Sequence, residues 1–97
     1  MSRPVHWSTT ATEHLAAIAR YIGRTSPVYA ERMVDRLLAR TAQLSEFPDS
    51  GRHVAEVQDA QVRELLEGPY RIIYFVQAAR IDVLAVVHGR QDVRWPK

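Results

Sequence analysis

The stretch that decides the fold runs from residue 68 to residue 90, where a short turn separates two strongly apolar segments. The first reads Gly68-Pro69-Tyr70-Arg71-Ile72-Ile73-Tyr74-Phe75-Val76, and the second reads Ile81-Asp82-Val83-Leu84-Ala85-Val86-Val87-His88-Gly89-Arg90. Their content of Ile, Val, Tyr and Phe predicts a β-hairpin whose two central strands are buried on both faces. The isolated polar groups on these strands are therefore the first candidates for function.

Two helices are predicted before this hairpin. Ser8-Thr9-Thr10 offers an N-cap for the first, and apolar residues at helical spacing follow. Ser26-Pro27 marks the start of the second, because Ser caps a helix and Pro, which lacks an amide hydrogen, fits the first helical position. An apolar stripe then continues to Phe47. The short link between the helices predicts that they form an antiparallel hairpin.

The remaining segments complete a β-α-α-β-β-β order. Val5 and Trp7 alternate with polar residues in a first strand, and Val62-Arg63-Glu64-Leu65-Leu66 predicts another before the Gly68-Pro69 turn. Residues 52–61 are predicted as a loop with a short extended piece at Val54 to Val57. We therefore expect one α+β domain over residues 1–97, with an antiparallel-rich sheet packed against an N-terminal helical hairpin. The helices cover one sheet face and leave the other for a partner, a tail or a substrate.

The composition is that of an ordinary globular protein. The 97 residues fit one small domain, with 46% hydrophobic and 25% charged residues. No apolar run approaches the ~20 residues of a transmembrane helix, and the N-terminal residues lack a signal-peptide core, so a cytoplasmic location is expected. The absence of cysteine excludes disulfides, thiolate nucleophiles and cysteine-type zinc sites.

The charged residues give a weak basic excess. The formal net charge is +2, and twelve of the thirteen basic side chains are Arg. Residues 62–97 hold six basic and four acidic groups, which fits an acidic protein partner as well as a nucleic acid. His6, His14 and His53 have no metal-like spacing with carboxylates, so neither a metal nor a cofactor is expected.

Several short motifs occur here in a characteristic order. They are Phe47-Pro48-Asp49-Ser50-Gly51-Arg52, Val62-Arg63-Glu64-Leu65, Gly68-Pro69-Tyr70-Arg71-Ile72-Ile73-Tyr74 and Val86-Val87-His88-Gly89-Arg90. Over nearly its whole length the chain resembles the RelE/ParE superfamily, the toxins of bacterial type II toxin-antitoxin pairs, also labelled plasmid-stabilisation proteins. The resemblance implies a cognate antitoxin as partner. It also implies one of two activities, because RelE-like members are ribosome-dependent messenger RNA endonucleases and ParE-like members inhibit DNA gyrase.

The resemblance to the RelE-like nucleases is incomplete. Arg71 matches an arginine that those nucleases place on the scissile phosphate, Arg90 lies near their second arginine, and His88 is an acid-base side chain. The nucleases usually carry Tyr or His close to the C-terminus, whereas this chain has Trp95, whose indole cannot act as a general acid or base. Some of them also place a cluster of lysines on the central loop and strand, whereas Lys97 is the single lysine here.

Arg71 and His88 also have structural interpretations. An arginine at the start of a central strand can pair with Glu64 or Glu67 of the neighbouring strand across the turn. A histidine at a strand end, next to Gly89, more often caps or packs than catalyses. These readings and the missing acid-base residue favour a protein that does not turn over a substrate.

We therefore expect a ParE-like toxin that inhibits DNA gyrase and is neutralised by its antitoxin. One alternative is a RelE-like endonuclease that uses Arg71, His88 and Arg90, and another is a non-toxic relative that only binds an antitoxin. The expected target-facing surface comprises Arg71, Arg90, Arg94 and Trp95, because an aromatic anchor amid arginines is typical of interface hot spots. The identity of the antitoxin and the oligomeric state of the free chain are left open.

The antitoxin is expected on the second helix. Val34 and Leu38 lie off the main apolar stripe and can receive a partner helix, with Arg20, Arg24 and Arg40 at the rim to attract acidic residues. The alternative is a solvated helix face with charge pairs inside the helix.

Overall fold

The computed structural model describes residues 2–91. The elements are β1 (Val5–Trp7), α1 (Thr9–Gly23), α2 (Pro27–Ala42) with a 3-10 turn at Gln43–Ser45, β2 (Arg52–His53), β3 (Val62–Glu67), β4 (Tyr70–Val76) and β5 (Ile81–His88). This architecture confirms the predicted α+β class, the helical hairpin and the three-strand meander. Across these residues no helix is long and apolar enough to cross a membrane.

The sheet has five strands in the order β1-β5-β4-β3-β2. The meander β3-β4-β5 is antiparallel, with Glu64 opposite Ile73 and Arg71 opposite Val87. β1 pairs in parallel with β5 at one edge of the sheet, and the two helices carry the chain from β1 to β2 at the opposite edge. The sheet is thus mixed at one edge, a feature that the sequence analysis did not predict.

The loop between α2 and β3 differs from the prediction. The extended piece expected at Val54 to Val57 is a turn, closed by the Val57 amide donating to the Val54 carbonyl at 3.1 Å. The strand pairing lies earlier, where Arg52 and His53 of β2 meet β3. The buried Val54 side chain explains the displacement, since the chain must turn there to place it against the sheet.

The helix starts follow the capping residues. The Ser8 hydroxyl accepts from the Ala11 amide at 3.0 Å, and the Ser26 hydroxyl accepts from the Tyr29 amide at 3.1 Å with Pro27 at the first helical position. The predicted apolar stripe is wrong at its end, because Phe47 is 62% exposed. The 3-10 turn breaks the helical spacing after Leu44, which is the last buried residue of the stripe.

The helical hairpin packs on one face of the sheet, which we call the helix face. One buried cluster joins the helices to the sheet, and its members include Met33 and Leu37 of α2, Ile72 and Tyr74 of β4, and Val83 of β5. Each of these side chains is 1% exposed or less. Most of the apolar core therefore lies between the helices and the sheet.

The opposite face, which we call the loop face, carries a smaller apolar cluster. Val54, Val62 and Ile73 are buried there, with Val57 and Phe75 packed against them. The expectation that this face is left open is wrong in part, because the turn at residues 54–57 covers a portion of it. This turn also brings Glu56 to Arg71, near the start of β4.

A tyrosine fastens the chain after α2 to the sheet. The Gly51 amide donates to the Tyr74 hydroxyl, which donates to the Pro48 carbonyl, each at 2.9 Å. A Cβ at Gly51 would lie 2.5 Å from the Tyr74 hydroxyl and 2.6 Å from the Glu64 carbonyl oxygen, so a side chain has no room there. Burial raises the pKa of Tyr74 above its ordinary value, partly offset by the Gly51 hydrogen bond.

Candidate functional site

The principal candidate site is an open groove of about 730 Å³ at one end of the sheet. It lies where the turn between β3 and β4 meets the end of β5, on the side from which Arg71 and Glu64 project. The apolar part of its lining includes Leu66, Pro69 and Ala55, and the charged part includes Arg52 and Arg90. The groove thus combines arginines with exposed apolar surface.

Arg71 is the most constrained charged residue of the groove. Its Nη2 donates to Glu56 Oε1 at 2.8 Å and its Nη1 to Glu56 Oε2 at 2.9 Å, which makes a two-pronged ion pair. Its Nε donates to Glu64 Oε1 at 2.8 Å, and Nη1 also donates to the Gln91 carbonyl at 3.2 Å. The Arg71 side chain is 9% exposed. All three guanidinium nitrogens therefore have partners inside the chain.

A second arginine completes the network. Glu64, whose side chain is 3% exposed, receives a hydrogen bond from Arg52 Nε on Oε2 at 2.8 Å, while its Oε1 binds Arg71. Two arginines and two carboxylates thus form a chain of charges from Arg52 through Glu64 and Arg71 to Glu56. Because burying an isolated charge is costly, this alternation is what permits Arg71 and Glu64 to lie inside the fold.

The environment fixes the charge of Arg71. The hydrogen bonds to Glu56 raise its pKa above the ordinary value, burial opposes this, and the hydrogen bond to Glu64 adds to the increase. Arg71 is therefore a cation at every pH at which the fold persists. Its positive charge is compensated locally rather than presented to solvent.

His88 does not share the environment of Arg71. It stands opposite Tyr70 in the sheet while Arg71 stands opposite Val87, and neighbouring residues of a strand point to opposite faces. The His88 ring packs edge-on against Tyr70, with ring centroids 6.1 Å apart, and its Nδ1 accepts from the Arg90 amide at 3.3 Å. The histidine thus packs against Tyr70 and caps the strand end, and from there it lines the same groove as Arg71.

Of the other predicted target-facing residues, Arg90 falls within the described residues and lines the groove. Arg90 is exposed, and within residues 2–91 its side chain forms no ion pair. Arg94 and Trp95 lie outside the residues that the structure describes. In the described part of the chain no group of three or more His, Cys, Asp or Glu side chains could hold a metal ion.

Comparison with known proteins places the chain in a family. The model of the family described as "ParE toxin of type II toxin-antitoxin system, parDE" matches residues 5–93. The chain belongs to this ParE toxin family. The assignment confirms the predicted RelE/ParE resemblance, and the chain is a type II toxin of that superfamily.

Relatives of this ParE-family chain carry both superfamily names. Toxin RelE2 of Caulobacter vibrioides (strain ATCC 19089 / CIP 103742 / CB 15) is 36% identical over 86 residues, covering 88% of this chain and 93% of the relative. A chain of the solved "Chromosomal ParDE TA system from P. aeruginosa" superposes with a TM-score of 0.74 at 22% identity, covering 90% of this chain and 96% of that one. At this identity the superposition supports the fold alone.

The residues predicted to face the antitoxin occupy two different environments. Leu38 is 42% exposed, Val34 is half-buried, and Arg20 and Arg24 are exposed, so these four lie on accessible helix surface. Arg40 instead joins α2 to the sheet.

The contacts of Arg40 also settle the partner of Glu67. Arg40 Nη2 donates to the Leu66 carbonyl at 3.3 Å, and Arg40 Nε lies 3.5 Å from Glu67 Oε1. Of the two carboxylates predicted for Arg71, Glu64 is therefore a partner and Glu67 is not.

Sequence reasoning missed the two outer members of the charge network, Arg52 and Glu56. Glu56 sits in a loop without periodicity, and it meets Arg71 across fifteen sequence positions. The one available signal is its place between Val54 and Val57, two apolar residues that a loop over the sheet can bury. A cluster of exposed apolar side chains near the helical turn, Tyr21, Val28 and Tyr29, was also not predicted.

Proposed function

We propose that this ParE-family toxin inhibits DNA gyrase by binding it, is neutralised by a cognate antitoxin, and does not cleave RNA. The observation that carries the proposal is the state of Arg71, whose guanidinium is held by Glu56, Glu64 and a backbone carbonyl. In the free toxin the donors of Arg71 are thus occupied by the chain's own acceptors and are not presented to a scissile phosphate.

The nuclease alternative needs different geometry. Cleavage of RNA requires donors aimed at the phosphate where negative charge develops, together with a general acid or base within reach. The donors of Arg71 point at carboxylates, and those carboxylates would repel a phosphate. His88 starts from the opposite sheet face, and its Nδ1 is engaged by the Arg90 amide. These contacts oppose a concerted role for Arg71 and His88.

The groove has the composition of a protein-binding surface. Leu66 is 46% exposed in its lining, beside Pro69, and the exposed Arg52 and Arg90 flank these apolar residues. Apolar anchors surrounded by arginines are typical of protein interfaces. We assign the gyrase contact to this groove. Arg94 and Trp95, which fall outside the described residues, stay predicted members of the target-facing set.

The antitoxin is assigned to a separate surface on the helical hairpin. Leu38 and Val34 supply accessible apolar area, while Arg20 in the last turn of α1 and Arg24 just after it supply positive charge. A partner helix with one apolar and one acidic face would complement both features. Arg40 plays a smaller part in this proposal because it is tied to β3.

Two assays run in parallel test the proposed function. The purified toxin is added to gyrase with relaxed plasmid, and to translating ribosomes with a defined messenger RNA. We expect supercoiling to fall and the message to stay intact. Cleaved message with normal supercoiling would establish the nuclease alternative instead, and the absence of both effects would indicate a non-toxic antitoxin-binding relative.

A further inference from the structure

The two carboxylates that hold Arg71 are anchored differently. Glu64 belongs to strand β3, is 3% exposed, and is bound by Arg52 as well as by Arg71. Glu56 lies outside the sheet, in the irregular segment between β2 and β3, and its side chain is 28% exposed. Glu64 is thus part of the sheet's own structure, whereas the loop brings Glu56 to the arginine from outside.

The contact between Glu56 and Arg71 has the form of ligand recognition. Both carboxylate oxygens meet both terminal nitrogens of the guanidinium, at 2.8 and 2.9 Å. This parallel pair of hydrogen bonds is the geometry in which arginine recognises a carboxylate on another molecule. Arg71 and Glu56 both line the groove, so this ion pair is part of its surface.

We propose that the groove is a binding site for a carboxylate side chain of an acidic protein segment, and that Glu56 occupies this site as an internal ligand in the free toxin. A partner's carboxylate displaces Glu56 and takes its two hydrogen bonds from Arg71. The inference rests on the proposed protein-binding function and names the chemistry by which the groove selects its partner.

Charge in the groove favours a carboxylate over a nucleic-acid phosphate. Once Glu56 leaves, Arg52, Arg71 and Arg90 remain with the single carboxylate of Glu64. One incoming carboxylate restores the local balance that Glu56 gives. The apolar lining at Leu66, 46% exposed, offers in addition a contact for an aliphatic residue next to the acidic one, which a phosphate backbone lacks.

The displacement needs only a small rearrangement. The Glu56 loop is fixed to the loop face by Val54, which is 2% exposed, and by the half-buried Val57. Because these apolar anchors do not depend on Arg71, the Glu56 side chain can swing away while the loop stays in place. Because a partner binds only when Glu56 has left the site, the apparent affinity equals the intrinsic affinity multiplied by the fraction of molecules in which the site is open.

Removing the internal ligand tests the inference. The probe is a short blocked fluorescent peptide of Glu and Leu, and its binding is followed by fluorescence anisotropy at low salt. We expect Glu56→Gln to bind the peptide about tenfold more tightly than the wild-type protein, since the competing carboxylate is gone. Glu46→Gln is the matched control, because it makes the same charge change at an exposed residue outside the groove lining. It should bind like the wild type.

A second variant and a second probe keep the result unambiguous. Glu56→Ala removes the side chain altogether and should give the same gain, while near-ultraviolet circular dichroism checks that each variant is folded. Oligouridylate replaces the peptide in a parallel titration. An unchanged peptide affinity in both folded Glu56 variants, or a gain for oligouridylate alone, would overturn the inference.

The site can also be followed directly. Nitrogen-15 spectra of the arginine side chains should show the Arg71 signals changing on peptide addition. Arg80, in the turn between β4 and β5 at the opposite end of the sheet, serves as an internal reference. No gyrase is present in these measurements. If the peptide binds at Arg71 but the toxin does not inhibit gyrase, the gyrase proposal alone is overturned. If the toxin inhibits gyrase but the Arg71 signals do not change on peptide addition, this inference alone is overturned.

Discussion

The two faces of the sheet are closed in different ways. On the helix face, Met33 and Leu37 meet Ile72 and Tyr74 with almost no exposed area. On the loop face a short turn covers a smaller apolar cluster, and beside it Arg71 and Glu64 are buried as ions. The first face derives its stability from area removed from water, whereas the second depends on matched charges around an accessible groove. Most of the apolar core thus lies on the helix face, and the charged candidate site lies on the loop face.

The largest stability loss is expected on the helix face. Leu37→Ala removes a side chain that is 0% exposed and leaves a cavity between α2 and the sheet. We expect a loss of about 2–5 kcal/mol in the free energy of unfolding. Urea denaturation followed by circular dichroism measures it. A loss below that of Val54→Ala on the loop face would break the proposed division between the faces.

The next largest effect is expected at Arg71. Arg71→Leu leaves the buried Glu64 with Arg52 as its remaining partner and should cost about 2–4 kcal/mol, somewhat less than a fully orphaned charge. The double variant Arg71→Leu with Glu64→Leu should recover much of that loss, because no buried charge is left unpaired. A double-mutant cycle from urea titrations gives the coupling energy, and simple additivity would contradict a coupled network.

Tyr74 fastens the chain after α2 to the sheet through its hydroxyl. Tyr74→Phe keeps the ring in the core but removes the acceptor for Gly51 and the donor to Pro48, which should cost about 1–3 kcal/mol. Thermal unfolding measures the change. A neutral substitution would show that the loop after α2 is fixed by packing alone.

The same hydroxyl predicts a pH dependence. Because burial raises the pKa of Tyr74 above the ordinary 10.0, the folded state holds its proton where the unfolded state has released it. This contribution to stability is complete below about pH 10 and is lost as the pH rises through the folded pKa. Urea midpoints between about pH 9 and pH 11 should therefore fall less steeply in Tyr74→Phe than in the wild type. Parallel slopes would contradict the assignment.

The smallest stability effect is expected for Glu56→Gln. The carboxylate is partly exposed and lies on a loop held by Val54, so its loss should cost less than about 1 kcal/mol. Urea denaturation at neutral pH measures the change. A loss as large as that of Arg71→Leu would show that Glu56 is a structural partner and not a displaceable one.

The sequence predicted the parts of the fold that depend on local chemistry. Patterns of only a few residues predicted these parts. They are the apolar strands Tyr70–Val76 and Ile81–His88 and the helix start at Ser26, which Pro27 follows. The parallel edge pairing of β1 with β5 could not be read this way, because it joins segments separated by most of the chain. Membership of the superfamily was predictable because several such local motifs recur in one order.

The site was predictable only in part. Arg71 and Glu64 lie on neighbouring strands, and strand alternation with turn position brings them together. Glu56 reaches the same arginine from an aperiodic loop, so only the three-dimensional path of that loop reveals the contact. The separation of His88 from Arg71 depends on strand register, which a shift of one residue would reverse.

The central claim is that the groove binds protein and that His88 performs no catalysis. Gyrase supercoiling assays with Arg90→Ala and His88→Ala toxins test it most directly. We expect Arg90→Ala to weaken inhibition about fivefold or more, as for an interface arginine, and His88→Ala to inhibit like the wild type. Equal inhibition by the wild type and Arg90→Ala, together with message cleavage that His88→Ala abolishes, would contradict the account.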